Sequence, residues 1–466
     1  MIAYLIASLL IAATAFAVRR ERQLFHIGVL FYAAQAAFAG MILFGGLYGE
    51  NSTGWFRFDA PGTLFYVLLC IVSAFAYFHS EAYLRANDLS QTRTYSALVM
   101  LLTTAISGAY FASNLAVTWI FLEATTLCSA GIIYHRRTAQ TLEAAWKYVF
   151  VCSTGIAMAY LGILLLAAAT DCESLDYGVV AAAATHGNAL YLKTAFVLIL
   201  CGYSCKMELF PLHTVGIDAN FAAPSPASAL ISTGLVNAGF LAIFRVYKLL
   251  ASTEVFPWVR SVLLIVGVLS LAIGALFLRR TNNYKRFLSY STVENMGIAA
   301  IGIGIGGIGV WAAVFHVVCH TLIKSSLFLQ MAVVRQVYNG YRINRIGDYI
   351  HINRVGAIGL LTGMVVLVAF PPSPLFVSEL MILRGTIAGG AWWLVAGMLL
   401  LLCIVIYSFC SRMIRLCYQP NQDELHPSKA DRALSWSALS LLAAAMVLGL
   451  WQPEFLRELI DQIATL

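Results

Sequence analysis

Charge is scarce in this chain. Only 11% of its 466 residues are Asp, Glu, Lys or Arg, against ~25% in a soluble globular domain. With 61% of the residues hydrophobic and a mean hydropathy of +0.82, a water-soluble fold would leave wide apolar patches exposed. That class is excluded, and counting domains by length does not apply. Metal-type cysteine spacing is also missing. The ten cysteines form no CxxC pair, and even Cys201 and Cys205, four apart, lie within an apolar run. They read as small core residues, so the chain brings no iron–sulfur or zinc motif and no cofactor of its own. A cleavable leader is not expected either. Met1 to Val18 is apolar from its first residue, with Arg19, Arg20 and Arg22 behind it rather than in front, which is the pattern of a first membrane helix. The formal net charge of +7 is spread between apolar segments and offers no nucleic-acid patch.

What the chain does have is apolar runs of spanning length, ~20 residues each, separated by short polar breaks. Fourteen spans are expected, at 2–18, 27–48, 62–79, 95–112, 114–134, 144–169, 192–210, 225–247, 261–278, 287–306, 308–334, 355–384, 391–411 and 433–451. The positive charges alternate with them. Of the 29 Lys and Arg, nineteen fall in the loops after odd-numbered spans, seven on the opposite side and three at membrane depth. The positive-inside rule then places both termini outside the cytoplasm of a bacterial inner membrane. Two basic segments, 335–354 and 412–432, read either as contacts to anionic lipid or as docks for a cytoplasmic partner subunit.

The ionisable residues at membrane depth carry the functional signal, because each costs at least ~2.5 kcal/mol to insert. Glu123 lies in the middle of the fifth span, in WIFLEATTLCSA. Lys147 falls in the first turns of the sixth. Lys206 follows a long apolar run, with Glu208 two residues on and Pro211 five residues on. That proline breaks the seventh span, and broken helices at this depth are tolerated where they line a wet cavity. His213 and Asp218 continue the irregular segment toward the cytoplasmic mouth. In the eleventh span, FHVVCHTLIKSSLF spaces His316, His320 and Lys324 by four, which stacks all three on one helix face. The twelfth span is broken at Pro371, Pro372 and Pro374, with Glu379 after the break. The order at the first break, charge then proline, is reversed at the second, which fits an inverted repeat. The organisation expected is therefore three N-terminal helices (1–94), a first repeat with a broken seventh helix (95–250), an inverted second repeat with a broken twelfth helix (251–416), and a last helix with its tail (417–466). Glu294 is open between a buried partner and an interface cap. His79 with Glu81, and Glu143 with Arg136 and Arg137, read as interface pairs.

These stretches resemble the antiporter-like membrane subunits of respiratory complex I, multisubunit cation/proton antiporters and membrane-bound [NiFe] hydrogenases. The resemblance rests on FLEATTL, EAAWKYVFVCSTG, KMELFPLHT, DANFAAPSPASALISTGLVNAGF, NNYKRFLSYSTVENMGI, FHVVCHTLIKSSLF and PSPLFVSELMIL, and within that superfamily it is nearest to component F of hydrogenase-4. It implies an all-α polytopic fold and a role for each site. Glu123 would tune the broken-helix Lys206, with Lys147 as the helix 6 lysine. His316, His320 and Lys324 would form the central relay and Glu379 its terminal group. Asn237 stands where relatives often carry lysine or histidine, and an asparagine holds no net proton. The resemblance also implies partners, namely other antiporter-like and small membrane subunits and a peripheral hydrogenase or dehydrogenase arm carrying Fe–S, NiFe or flavin groups. Function is then proton translocation in a redox-driven complex. A sodium/proton antiporter subunit, a non-conducting membrane anchor and a proton-coupled uptake partner stay open beside it.

Overall fold

A computed structural model describes residues 1–49, 51–52, 54–84, 88–420 and 428–465. Arg85 and residues 421–427 of the second basic segment lie outside the described residues. Apart from a two-strand hairpin (β1 Asn51–Ser52, β2 Phe56–Arg57), the described elements are helices. The chain divides into two compact units.

The first unit holds residues 1–227 and 234–262 with Thr465. Its helices are α1 (Ile2–Ala17), α2 (Glu21–Phe44), α3 (Ala60–Leu84), α4 (Leu89–Phe111), α5 (Leu115–Ile133), α6 (Ala139–Thr170), α7 (Tyr177–Ala184), α8 (Ala189–Met207) and α9 (Thr214–Ala222). After α10 (Ser225–Leu230) come α11 (Val236–Leu249) and the start of α12 (Phe256–Arg280). Local chemistry sets the ends. The Asn114 side chain accepts from Ala116 N at 2.9 Å to start α5, and Thr138 with Thr141 forms a capping box for α6. Helices α6 and α8 meet along a seam of small residues. A Cβ on Gly202 would lie 2.7 Å from the Ala159 nitrogen, and one on Gly155 3.0 Å from the Gly202 carbonyl, so both must be bare for the helices to approach. Gly239 plays the same part between α11 and α8, where a Cβ would reach within 2.5 Å of the Met207 nitrogen.

One half-buried ion pair holds this unit's helix ends together. Arg245 on α11 donates to Asp59 Oδ2 at 2.9 Å, to Tyr110 O at 2.7 Å and to Ala112 O at 2.7 Å. It thus satisfies the carbonyls that α4 leaves open at its C-terminus, while Asp59 Oδ1 accepts from Gly62 N in the first turn of α3. Replacing Arg245 by alanine strands a carboxylate and two carbonyls. The expected cost is about 1–3 kcal/mol of stability, read as a lower Tm of the purified chain and lower abundance in membranes.

The second unit holds residues 228–233 and 263–464. It contains α13 (Tyr284–Ile305), α14 (Ile308–Tyr338), α15 (Tyr349–Ile352), α16 (Arg354–Leu367), α17 (Pro374–Ala388), α18 (Trp392–Tyr418), α19 (Arg432–Leu450) and α20 (Glu454–Ala464). Gly306 and Gly307, at φ 77° and 52°, turn the chain between α13 and α14 in a conformation that costs glycine little. Helix α14 is buried almost end to end, and α13 nearly so. Such all-round apolar burial marks core helices rather than amphipathic surface ones.

Among the described residues, eleven helices are long and apolar enough to cross a membrane. Each of the fourteen expected spans falls on one of the described helices, except that 225–247 runs through α10, a π-helical turn and α11, and 355–384 is two pieces, α16 and α17. Both expected breaks are present. Helix α8 stops at Met207, Glu208 takes a left-handed φ of 56°, and α9 starts at Thr214. Helix α16 stops at Leu367, Ala369 takes φ 53°, and α17 starts at Pro374 behind the Ser373 cap. The Phe210–Pro211 and Pro371–Pro372 peptide bonds are both cis.

Candidate functional site

In the first unit the site is built around Lys206 in the last turn of α8. The side chain is 1% exposed. Its Nζ donates to Thr126 Oγ1 at 2.8 Å and reaches the Tyr148 hydroxyl at 3.5 Å. Thr126 sits one turn beyond Glu123 on α5, and its hydroxyl donates to Glu123 Oε2 at 3.2 Å. Ser153 on α6 donates to the other carboxylate oxygen at 2.6 Å. Lysine and glutamate therefore meet through a hydroxyl rather than as a direct ion pair. A hydroxyl that accepts from an ammonium and donates to a carboxylate can pass a proton without itself changing charge. It takes one from Nζ on its lone pair and releases its own to Oε2. Thr126, Ser153 and Tyr148 carry no charge, so the cost of burying a charge does not single them out in the sequence. The available signal was Thr126 at i+3 from Glu123, on the same helix face.

The neighbours of Lys206 on the break are also buried. Glu208 is 1% exposed and accepts from Asn220 Nδ2 on α9 at 2.8 Å. His213 is buried with its ring 6.4 Å from that of Phe210. Asn237 is buried on α11, directly after a π-helical turn at Ile231–Leu235; such turns gather at functional positions.

Lys147 is placed differently from its expectation. It lies on the outer face of α6 and pairs with Glu143 at 2.5 Å, one turn away, with both side chains more than half exposed. The four-residue spacing favours this partner for Glu143, so Arg136 and Arg137 are not it. Arg136 instead donates to the Tyr83 hydroxyl. His79 is fully buried, and Glu81 is exposed.

In the second unit α14 carries the stacked residues as expected. His316, His320 and Lys324 are all 0% exposed. Lys324 Nζ donates to Leu288 O at 2.5 Å and to Ser291 Oγ, both on α13. Its helix neighbour there, Glu294, is buried in mid-α13 and accepts from Asn295 Nδ2 at 2.5 Å. This settles Glu294 as a buried partner rather than a cap. It interacts electrostatically with Lys324 and with Glu379 on α17. His316 Nδ1 lies 2.9 Å from Ser378 Oγ. The Ser378 hydroxyl also lies 2.9 Å from Leu375 O, and Nε2 of His316 has no hydrogen-bond partner among the described residues. Neither ring nitrogen of His320 has a hydrogen-bond partner among the described residues. Lys285, counted with the loops in the sequence, is instead fully buried, its ammonium 5.5 Å over the Tyr341 ring.

The family profile described as NADH:quinone oxidoreductase/Mrp antiporter, transmembrane, matches residues 112–405. A hydrogenase-4 component F homolog of Methylacidiphilum infernorum is 30% identical over 304 residues, 64% of this chain and 64% of that relative. NADH-quinone oxidoreductase subunit N of Ectopseudomonas mendocina is 25% identical over 78% of this chain and 75% of its own. The chain thus spans just under two thirds of the first of these. Among solved structures, a chain of the membrane-bound sulfane sulfur reductase, an archaeal respiratory membrane complex, superimposes with a TM-score of 0.88. It is 21% identical and covers 99% of this chain and 96% of that one, a likeness that establishes the fold.

Proposed function

Because the chain belongs to the NADH:quinone oxidoreductase/Mrp antiporter family of transmembrane subunits, we propose that it moves protons across the membrane as a subunit of an energy-converting respiratory or hydrogenase complex. The observation that carries the reading is the line from buried Lys206 through Thr126 to Glu123. An ammonium buried at this depth is costly to keep, and its partner Thr126 Oγ1 is a hydroxyl that in turn donates to the Glu123 carboxylate, groups suited to exchanging protons. Buried lysines also favour protons over sodium as the cargo, since an ammonium repels a second cation. The second unit carries its own set, His316, His320, Lys324, Glu294 and Glu379. Both termini belong on the non-cytoplasmic side by the charge asymmetry of the loops. Partners are other antiporter-like membrane subunits and a peripheral redox arm, which supplies the driving energy.

Mechanistically, Lys206 keeps its proton while a carboxylate is close and yields it when that carboxylate is neutralised or withdrawn. A hundredfold change in the lysine's proton affinity is worth ~2.7 kcal/mol, above the ~2.3 kcal/mol needed to move one charge against about 100 mV. One switched pair suffices in magnitude.

Thr126 gives the sharpest test. Thr126→Val keeps the shape and removes the bridge, and a charge-assisted hydrogen bond of about 1.5–3 kcal/mol corresponds to a ten- to hundredfold slower proton movement. Thr126→Ser restores it. The measurement is dye quenching in inverted membrane vesicles that hold the assembled complex, with and without sodium. Unchanged rates in Thr126→Val and Glu123→Gln would overturn the reading, and a strict sodium requirement would replace it with sodium/proton exchange.

A further inference from the structure

A cavity of about 350 Å³ opens between the ends of three helices in the first unit, away from the Lys206 group. Its walls come from the first turns of α2 and α4 and the last turns of α3. Three successive helix ends at one level mark the depth where hydrocarbon gives way to headgroups. The inner wall is apolar, with Leu24 and Leu84 each under 5% exposed and Tyr77 beside them. The rim is charged with both signs. Glu21, Arg22 and Glu81 line it and are exposed. None of the three has a hydrogen-bond or ion-pair partner among the described residues, although carboxylates and a guanidinium surround one opening. Ser96 also lines the cavity.

An occupant matching this arrangement carries an anion for Arg22, a hydrogen-bonding cation for Glu81 or Glu21, and an apolar body for the Leu24–Leu84 wall. We infer that the cavity between α2, α3 and α4 binds the headgroup of a zwitterionic aminophospholipid, a phosphatidylethanolamine, with phosphate toward Arg22 and ammonium toward the carboxylates. Guanidinium–phosphate and ammonium–carboxylate contacts are the strong, charge-assisted kind. A choline headgroup has the charge but no N–H donor, and a glycerol headgroup has no cation, so both bind less tightly. A free phosphoethanolamine lacks the part that fits the apolar wall.

Native mass spectrometry of the detergent-purified full chain tests this. The titrants are phosphatidylethanolamine, phosphatidylcholine and phosphatidylglycerol of matched acyl chains, and soluble glycerophosphoethanolamine. The expected result is one site preferring phosphatidylethanolamine by about tenfold, as one charge-assisted contact would give, with no competition from the soluble headgroup. Glu21→Gln/Glu81→Gln erases the preference between lipids. Arg22→Gln weakens phosphatidylethanolamine and phosphatidylglycerol together. These residues are exposed and outside the proton line, so the variants fold. Equal binding of the three lipids by the unmodified chain, an unaltered preference in the double variant, or displacement by the soluble headgroup would each overturn the assignment. Binding is read without transport, so the result stands apart from the fate of the proton-movement proposal.

Discussion

Lys206→Met is expected to abolish proton movement while making the protein more stable. The side chain is 1% exposed and its ammonium is held by one threonine hydroxyl, a longer contact to Tyr148 and that ring's face at 5.2 Å. A buried lysine costs at least ~2.5 kcal/mol on insertion scales, and methionine of similar length removes that cost while filling the same space. If the lysine were a structural staple, its loss would lower Tm by leaving Glu123 buried and bereft of a cation. Glu123, however, is only half-buried and keeps two hydroxyl donors, Thr126 and Ser153, so it tolerates the change. Transport should fall by at least about 100-fold, the scale on which a positioned proton-transfer group acts. Vesicle quenching and a thermal-shift assay on the same preparation decide it. A lower Tm with transport retained would mean that the lysine serves the fold and not the proton.

The helices were legible because their signal is a one-dimensional one. Runs of ~20 apolar residues have few alternative structures in a bilayer, so even the broken spans fell where Pro211 and Pro371–Pro374 placed them. The α14 ladder was legible for a related reason, since four-residue spacing on a helix has one geometric meaning. Lys147 was misplaced because depth along a helix says nothing about which way its face turns. Periodicity around it was weak: Trp146 and Phe150 on the same face are as apolar as the core, because that face too meets an apolar surrounding. Lys285 was misplaced for the opposite reason. Counted among loop charges two residues beyond Asn283, it is drawn inward by Tyr341, a partner 56 residues away that no local pattern could announce. The bridge through Thr126 was hidden by residue type. Threonine in an apolar helix commonly bonds its own backbone four residues back, as Thr103 and Thr104 do here and as Thr126 does to Leu122 O at 3.4 Å, and only the approach of α8 adds the link between two charges.

His320 is the strongest case in the second unit, and His320→Leu is expected to separate transport from stability once more. The ring is 0% exposed and neither nitrogen has a hydrogen-bond partner among the described residues, in an interior where buried polar atoms are nearly always satisfied. A histidine kept only for packing would be replaced by leucine at a gain, because the desolvation of its two nitrogens is uncompensated. Its position argues for another use. It stands one turn from His316, whose Nε2 has no hydrogen-bond partner among the described residues, and one turn from Lys324, whose ammonium is anchored on α13. Steps of four residues are ~6 Å of helix axis, a gap that a single water bridges by two hydrogen bonds. The ring can accept on one nitrogen and release from the other, which an amide cannot. His320→Leu and His320→Gln should therefore both cut proton movement by at least about 100-fold, and the leucine variant should unfold at a higher temperature than the parent. Normal transport in His320→Leu would show that the three stacked residues do not act in series and would leave the second unit without a proton path through α14.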